Sequence, residues 1–514
     1  IEINPRNVGT TTMKGNLFIL KSEWVLTKVD VSMHKGNLKK YDDFRIVQEY
    51  EKLDSFWVVK SQIFEYKTKY GKETVKGSTM VYYDNYEINP VFPPKFFGNE
   101  VGITTEEAYE RDSSFWGEIR PVPLTPEEQR TKFVQDSLTA IYTSDEYLDS
   151  VDAVFNKITA LKVLFLGIEH RNRHKKTQWY LSSLMDLYEP LGIGGMRIGP
   201  GFDMFKKWEN EKWIDFNGDV TIGFNNADLR GSARVYHRYA PKRFGDVSVY
   251  YSRGAALINQ WDAWLNMIHR NNYYLNDRFG VWNRMEVFNG FFASVGVNLE
   301  HRTPFDSTYK FNHFFDEFID NADSTYRFDP YWALRTNVRL QYTPGQQYMT
   351  EPKRKVILGS RWPTFFFEWE KGWNAFGSVI NYDYIRIGAE QTLNIGTMGE
   401  SRYRITTGKF VNQEAVFYID RKFFRQSDNT WFRWLFSQPM YSFQNLDSSY
   451  ETQDFFAELH YIHHFNGAIM NKIPYIKKTG IKALMGGGFL YLPEHNNFFY
   501  TEAFIGIERI FKIL

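Results

Sequence analysis

The chain of 514 residues contains no cysteine, which excludes disulfide staples, thiolate metal sites and cysteine nucleophiles together. It also lacks a long apolar run: the longest, Ile158 to Ile168, contains Lys162, and a spanning helix needs roughly 18 to 20 apolar residues in a row. An excess of one charge is missing too, since 62 basic side chains face 61 acidic ones. Without a basic footprint, nucleic acid is not an expected partner. No phosphate loop, nucleophile elbow or zinc-protease helix motif occurs, so an enzyme is not expected, nor is a cofactor or metal. No secretory signal precedes Ile1 and no initiator Met is present, which reads as a processed or trimmed chain.

What is abundant is aromatic. Phe, Tyr and Trp make up 18% of the residues, while the mean hydropathy is −0.47. Large rings interleaved with polar residues are what alternating membrane strands produce. Residues 1–100 read as an antiparallel periplasmic β-sheet domain, with β-rich runs at Leu17 to Met33, Phe44 to Glu51, Phe56 to Lys67 and Ser78 to Ile88, and polar turns such as HKGN, KYGK and KLDS. Residues 101–185 read as a connector, punctuated by NPVFPPKFFGNE just before it and by RPVPLTPEE within it. One packing helix is expected there, capped by Ser144, carrying Leu148, Val151, Phe155, Ile158 and Leu161 at helical spacing, and ending near Gly167.

Residues 186–514 alternate with period two. In Trp213 to Phe224, Ile214, Phe216, Val220 and Ile222 oppose Asp215, Asn217, Asp219 and Thr221. In Trp332 to Tyr342, Trp332, Leu334, Val338, Leu340 and Tyr342 oppose Arg335, Asn337, Arg339 and Gln341. A soluble sandwich core would reject the charged face, whereas a barrel with a lipid face and a wet lumen explains both. About 13 such strands are recognisable, between residues near 197 and 511, and closure with an even number suggests about 14–16. The fold class expected is all-β: a transmembrane antiparallel β-barrel with an N-terminal periplasmic sheet and a short helical connector. Three long insertions interrupt the strands, at Ala255 to Arg278, Thr303 to Tyr331 and Val411 to Gln453.

Candidate site residues follow from that layout. Lumen polar positions are Asp215, Asp219, Arg230, Arg234, Arg335 and Arg339, with Glu300, Glu458, Glu502, Arg402 and Arg404 as further pairing partners. Ion pairing across a wet interior accounts for these carboxylates without catalysis. His170 and His174, four residues apart, read as a solvated charged patch rather than a metal site; His460 and His464 share a strand face and His463 takes the other. The glycines of GIGGMRIGPG read as a bend at the first barrel strand. Amphipathic aromatics at Trp261, Trp264, Trp431 and Trp434 either pack on the barrel or meet an interface or partner.

Four segments, GNLFILKSEWVL, FWGEIRPVPLTPEE (Phe115 to Glu128), Thr343 to Trp373 and FFYTEAFIGIERIFKI (Phe498 to Ile513), together resemble the bacterial envelope family catalogued as domain of unknown function 5686. The resemblance covers nearly the whole chain. It implies an outer-membrane barrel, usually preceded by a carboxypeptidase-regulatory-like domain, and no established chemistry. More distantly, the layout is similar to the superfamily of BAM-type insertases and two-partner-secretion transporters, in which a loop bearing V-R-G-[FY] enters the lumen. Here the comparable loop, Thr343 to Trp362, offers Arg354, Gly359 and Arg361 without that tetrapeptide, so the mechanism does not carry over; if a loop enters this lumen, it is the candidate. The closing FKIL in place of an aromatic terminus suggests truncation.

The expected function is non-enzymatic transport or assembly at the bacterial outer membrane, with lipid and possible envelope proteins as partners. The alternatives are a passive or plugged diffusion channel, a structural subunit of a larger outer-membrane complex and, least favoured, a soluble carbohydrate-binding β-protein or hydrolase.

Overall fold

A computed structural model describes residues 1–5, 12–33, 38, 40–70, 73–94, 96–190, 193–263, 269–311, 325–427, 438–446, 449–476 and 479–509. Six strands open the chain: β1 (Glu2–Ile3), β2 (Met13–Leu20), β3 (Val25–Met33), β4 (Asp43–Leu53), β5 (Phe56–Tyr70) and β6 (Glu73–Tyr82). They form one antiparallel sheet in sequence order. The run from Leu17 to Met33 is two strands, because Trp24 adopts φ 55° and reverses the chain. Among the described hydrophobic residues of this sheet only Val31 and Val47 are buried, so it is a thin layer with little core.

The connector holds more helix than expected. A short strand, β7 (Glu100–Ile103), precedes α1 (Glu106–Glu110), α2 (Ser113–Ile119), α3 (Pro126–Thr143) and α4 (Asp145–Asn156). The proline cluster before Glu128 marks a helix start, not an irregular link. The Thr125 hydroxyl accepts from the Glu128 backbone N–H, and the Glu128 carboxylate accepts from the Thr125 backbone N–H at 2.8 Å. This capping box satisfies two otherwise orphaned donors, and Pro126 at the first helical position loses no hydrogen bond there. Ser144 caps α4 as expected. That helix stops at Asn156, however, and a separate π-helical turn, Lys162–Leu166, reaches Gly167 at φ 84°.

Downstream come β8 (Ile168–Asn172), β9 (Thr177–Leu181), β10 (Tyr188–Glu189), β11 (Arg197–Ile198), β12 (Gly201–Lys207), β13 (Trp213–Gly223), β14 (Leu229–Ala240), β15 (Gly245–Leu257), β16 (Tyr273–Phe288), β17 (Phe291–Thr303), β18 (Tyr331–Tyr342), β19 (Gln347–Thr350), β20 (Lys355–Gly359), β21 (Thr364–Trp373), β22 (Asn381–Asn394), β23 (Glu400–Ala415), β24 (Lys422–Phe423), β25 (Glu451–Thr452), β26 (Phe456–His464), β27 (Lys482–Leu492) and β28 (Phe498–Glu508). All but β19, β20, β24 and β25 belong to one 17-stranded sheet, the barrel wall. It begins at Ile168, ahead of the expected 186: β8 and β9 form a hairpin, and β9 pairs with β12. Strands β11 and β12 both pair with β13 and act as one interrupted strand. The bend there is made by Gly194 and Gly195 at φ 89° and 86°.

The wall is inside out relative to a soluble protein. On β28, Phe499, Ile505 and Ile507 are exposed, Ile505 by 90%, and Val295 and Val297 of β17 are exposed likewise, while Glu300 and Arg302 of the same strand are 0% exposed. Successive strand residues point to opposite faces, so one face of the wall is apolar and bare and the other is charged and enclosed.

The wall is also curled. Of the neighbouring residues Phe423 and Phe424, the first shares one buried cluster with Ile258 and with Tyr274 on β16, and the second meets Phe456 on β26 with ring centroids 5.1 Å apart. Those strands are six ladder steps apart, about 29 Å in a flat sheet at ~4.8 Å per step. Two adjacent residues cannot bridge that distance, so the wall wraps around them.

Candidate functional site

The enclosed face divides into a capped end and a vestibule. The cap is the insertion after β23. Asp420 meets Arg302 of β17 at 2.8 Å, with both side chains 0% exposed. Phe424, Phe443 and Leu446 bury against Phe456, Leu490 and Leu492 of β26 and β27, and Phe417 stacks on Tyr331 of β18 at 4.4 Å. On β28 the Glu502 carboxylate accepts the backbone N–H groups of Gln444 and Asn445, each at 2.8 Å. Complete burial of each large apolar side chain is worth roughly 1.5–3 kcal/mol, so the cap is packed as a core and not draped as a loose loop.

The other two insertions lock onto the same rim. Asn259 Nδ2 donates to the Ser449 hydroxyl at 2.8 Å, tying the β15–β16 insertion to the cap. Tyr326, from the β17–β18 insertion, lies 5.4 Å from Tyr418 of the cap. Further along that insertion, the Lys310 carbonyl accepts from Asn226 Nδ2 at 2.8 Å.

Expectation and structure differ over which loop lies inside. The loop from Thr343 to Trp362 stands at the opposite rim. Its strand β19 pairs in parallel with β7, Met349 opposite Gly102 and Thr350 opposite Ile103, and so joins the wall to the connector. Arg354 is exposed and ion-paired with Glu351 at 2.5 Å; Gly359 ends β20 at φ 113°, and Arg361 is exposed. The hairpin's anchor is Lys355, whose ammonium meets Glu286 of β16 at 2.6 Å with both side chains nearly buried. Its backbone partner is β7 of the connector.

Beneath the cap lies a neutral charge cluster. Glu300 accepts from Arg302 at 3.0 Å and from Arg335 at 2.5 Å, with Arg278 at 3.3 Å. Arg335 also approaches Glu370 at 3.6 Å. With Asp420 this makes three carboxylates against three guanidiniums, which is how a charge is kept in a low-dielectric interior. Glu300 and Arg302, two residues apart on one strand, were a readable signal for this pair; Asp420 carried none.

Toward the hairpin rim the interior opens into two adjoining cavities. One, of about 610 Å³, is lined by Arg234, Tyr250, Arg278 and Arg335 among others. The second, of about 320 Å³, is lined by Arg284, Ser294 and Arg339, and both touch Trp282, Asn337 and Glu368. Asp215 and Arg234 stand 4.0 Å apart across β13 and β14. Asp219 accepts from Ser232 at 2.5 Å. Arg230 belongs to the capped rim, where it pairs with Asp228 at 2.8 Å and donates to Tyr309. Glu458 pairs with His460 at 2.8 Å and His464 with Glu508 at 3.1 Å, while His463 meets Ser401 on the other face at 2.7 Å. Arg402 and Arg404 pair with Glu400 and Glu390. Trp261 is exposed at the capped rim; Trp264, Trp431 and Trp434 lie outside the described residues.

His170 and His174 are not brought together. His170 stacks on Trp179 at 5.4 Å, and His174, in the β8–β9 turn, meets Asp149 of α4 at 2.7 Å. That hydrogen bond raises the His174 pKa. Beside it Asp152 docks α4 on the hairpin, 3.0 Å from both Arg171 Nε and Arg173 Nε. Burial opposes its ionisation, but the Arg173 backbone N–H and the Arg171 guanidinium prevail and hold the carboxyl below its ordinary range. Among the described residues no group of three or more His, Asp or Glu side chains has the arrangement of a metal site.

Several solved structures are similar to this chain. BamA from Haemophilus ducreyi lacking POTRA domains 1-3 aligns with a TM-score of 0.34 and 8% identity, over 64% of this chain and 59% of that one. CdiB from Acinetobacter baumannii aligns with a TM-score of 0.30 and 10% identity, over 61% of this chain and 51% of that one. The chain thus spans a little over half the length of either. No curated protein matches it. Residues 1–86 match the family of unknown function DUF5686 and residues 161–507 match that family's C-terminal domain, so the chain belongs to this family.

Proposed function

We propose that this chain is an integral outer-membrane barrel, with its N-terminal sheet in the periplasm, that acts without catalysis in moving or inserting envelope components. The observation that carries the reading is the polarity of the wall: an exposed apolar face on alternate strand residues and an enclosed charged face. Its second support is the asymmetry of the two rims. One is packed shut by the cap, and the other carries the vestibule and is tied through β7 and β19 to the connector.

The test is depletion in cells, reading surface lipoproteins, lipopolysaccharide and outer-membrane barrels. A selective loss of one class is expected; unchanged content of all three contradicts the proposal. The cap also favours a specific form of the channel alternative, a plugged pore. In planar bilayers the purified chain is expected to hold no steady conductance, and a stable open current without partners would replace the transport reading with a passive channel.

A further inference from the structure

Three neighbouring strands place Arg284, Ser294 and Arg339 in one row of the enclosed face, because Arg284 pairs with Ser294 across β16 and β17 and Ser294 with Arg339 across β17 and β18. Two long cations thus flank one small hydroxyl, with their backbones about 10 Å apart at two strand spacings. All three line the 320 Å³ cavity. Each guanidinium is held over a ring, Arg284 4.8 Å from Phe292 and Arg339 6.0 Å from Phe366. Neither forms an ion pair or hydrogen bond with any described residue, and the Ser294 hydroxyl has no hydrogen-bond partner among them.

The carboxylates nearby make their closest ion pairs with other cations. Glu368, which lines the same cavity and stands opposite Arg339 across β18 and β21, makes its direct contacts with Arg386 and with Asn337, from which it accepts at 3.1 Å. Asp246 takes Arg238 in a two-point pair at 2.7 and 3.1 Å. Glu286 holds Lys355, and Glu300 belongs to the neutral cluster. The row therefore keeps two guanidiniums without a direct carboxylate partner in a polar recess.

We propose that Arg284, Ser294 and Arg339 form a binding site for a phosphate group, reached from the vestibule. Paired guanidiniums match the oxygen geometry of phosphate, and two forks plus a hydroxyl can engage a tetrahedral anion from three sides. The recess continues into the larger cavity past Trp282 and Asn337, so it accommodates the group together with what it is attached to. This deepens the transport reading by naming the chemistry that the interior receives. Binding by purified protein and envelope composition in cells are separate readouts, so either can fail alone.

The test uses the full chain in detergent and native mass spectrometry, with phosphatidic acid, diacylglycerol and inorganic phosphate as probes. The wild-type chain is expected to retain phosphatidic acid at least tenfold over diacylglycerol. The R284Q/R339Q variant is expected to lose that preference and R284K/R339K to keep most of it, with all three showing the same heat-dependent gel mobility as a check on folding. Competition by inorganic phosphate supports the site and admits a soluble phosphorylated source; selective lipid retention without competition supports it with a lipid headgroup as the source. Equal retention of phosphatidic acid by wild type and R284Q/R339Q, or equal retention of both lipids by the wild type, overturns it.

Discussion

Asp420 and Arg302, 118 residues apart in sequence, form an ion pair with no exposed side-chain surface. Since Arg302 also serves Glu300, one bond couples the cap to the wall's charge cluster. Removing one member of a buried pair costs about 3–5 kcal/mol, because the other charge stays buried. Asp420→Ala is therefore expected to loosen the cap. Protease cleavage between residues 421 and 446 should rise strongly while the wall strands stay protected, and unchanged cleavage would mean that the apolar contacts alone hold the cap.

Gly388 on β22 sits beneath the Phe366 ring, and a Cβ there would stand 2.3 Å from Phe366 Cζ and 2.5 Å from the Ile405 carbonyl oxygen. The second contact is backbone and cannot rotate away. Gly388→Val is expected to abolish the folded, heat-modifiable form on gels, whereas Gly377→Ala, with open space around it and a φ of 83°, should fold with a milder penalty of about 1 kcal/mol or more.

The Thr125 cap gives a local test. Thr125→Ala removes the hydroxyl of the capping box and is expected to cost about 1 kcal/mol. Hydrogen exchange should quicken in the first turns of α3 and leave β13 to β18 unaffected.

The docking of α4 has opposed pH dependences. The Asp152 carboxyl is lowered on folding from its ordinary 3.8, so its contribution is complete above that value and disappears as pH falls through the lower folded one. His174 is raised from 6.5, so its contribution is complete below 6.5 and is lost as pH rises through the folded value. The protection of α4 amides, corrected for the intrinsic exchange rate at each pH, should thus be greatest at mildly acidic pH and fall toward both extremes. Asp152→Asn should remove the acid limb, at a cost of about 1.5–3 kcal/mol at neutral pH.

Alternation made the wall readable, because a period of two survives in every strand longer than a few residues. It failed at β8 and β9, five residues each, where EHRN carries too few apolar positions to set a phase. Thr125 and Glu128 spelled a helix start that the surrounding prolines obscured. The cap was beyond reach for another reason: its contacts join Asp420, Phe424 and Phe443 to distant strands, and no local period records a partner so far along the chain. The Thr343 to Trp362 loop was a lumen candidate by resemblance alone, while the parallel pairing of Met349 with Gly102 depends on an edge that the folded connector provides.

The central claim is that the bare apolar face of the wall meets lipid while the charged face meets water. The absence of cysteine allows single spin labels to be placed along β17 at Val295, Gly296, Val297 and Asn298 in the protein reconstituted in bilayers. Oxygen collisions should dominate at Val295 and Val297, and a water-soluble nickel relaxant at Gly296 and Asn298. Uniform accessibility along the four positions, or nickel dominance at Val295 and Val297, would contradict the account.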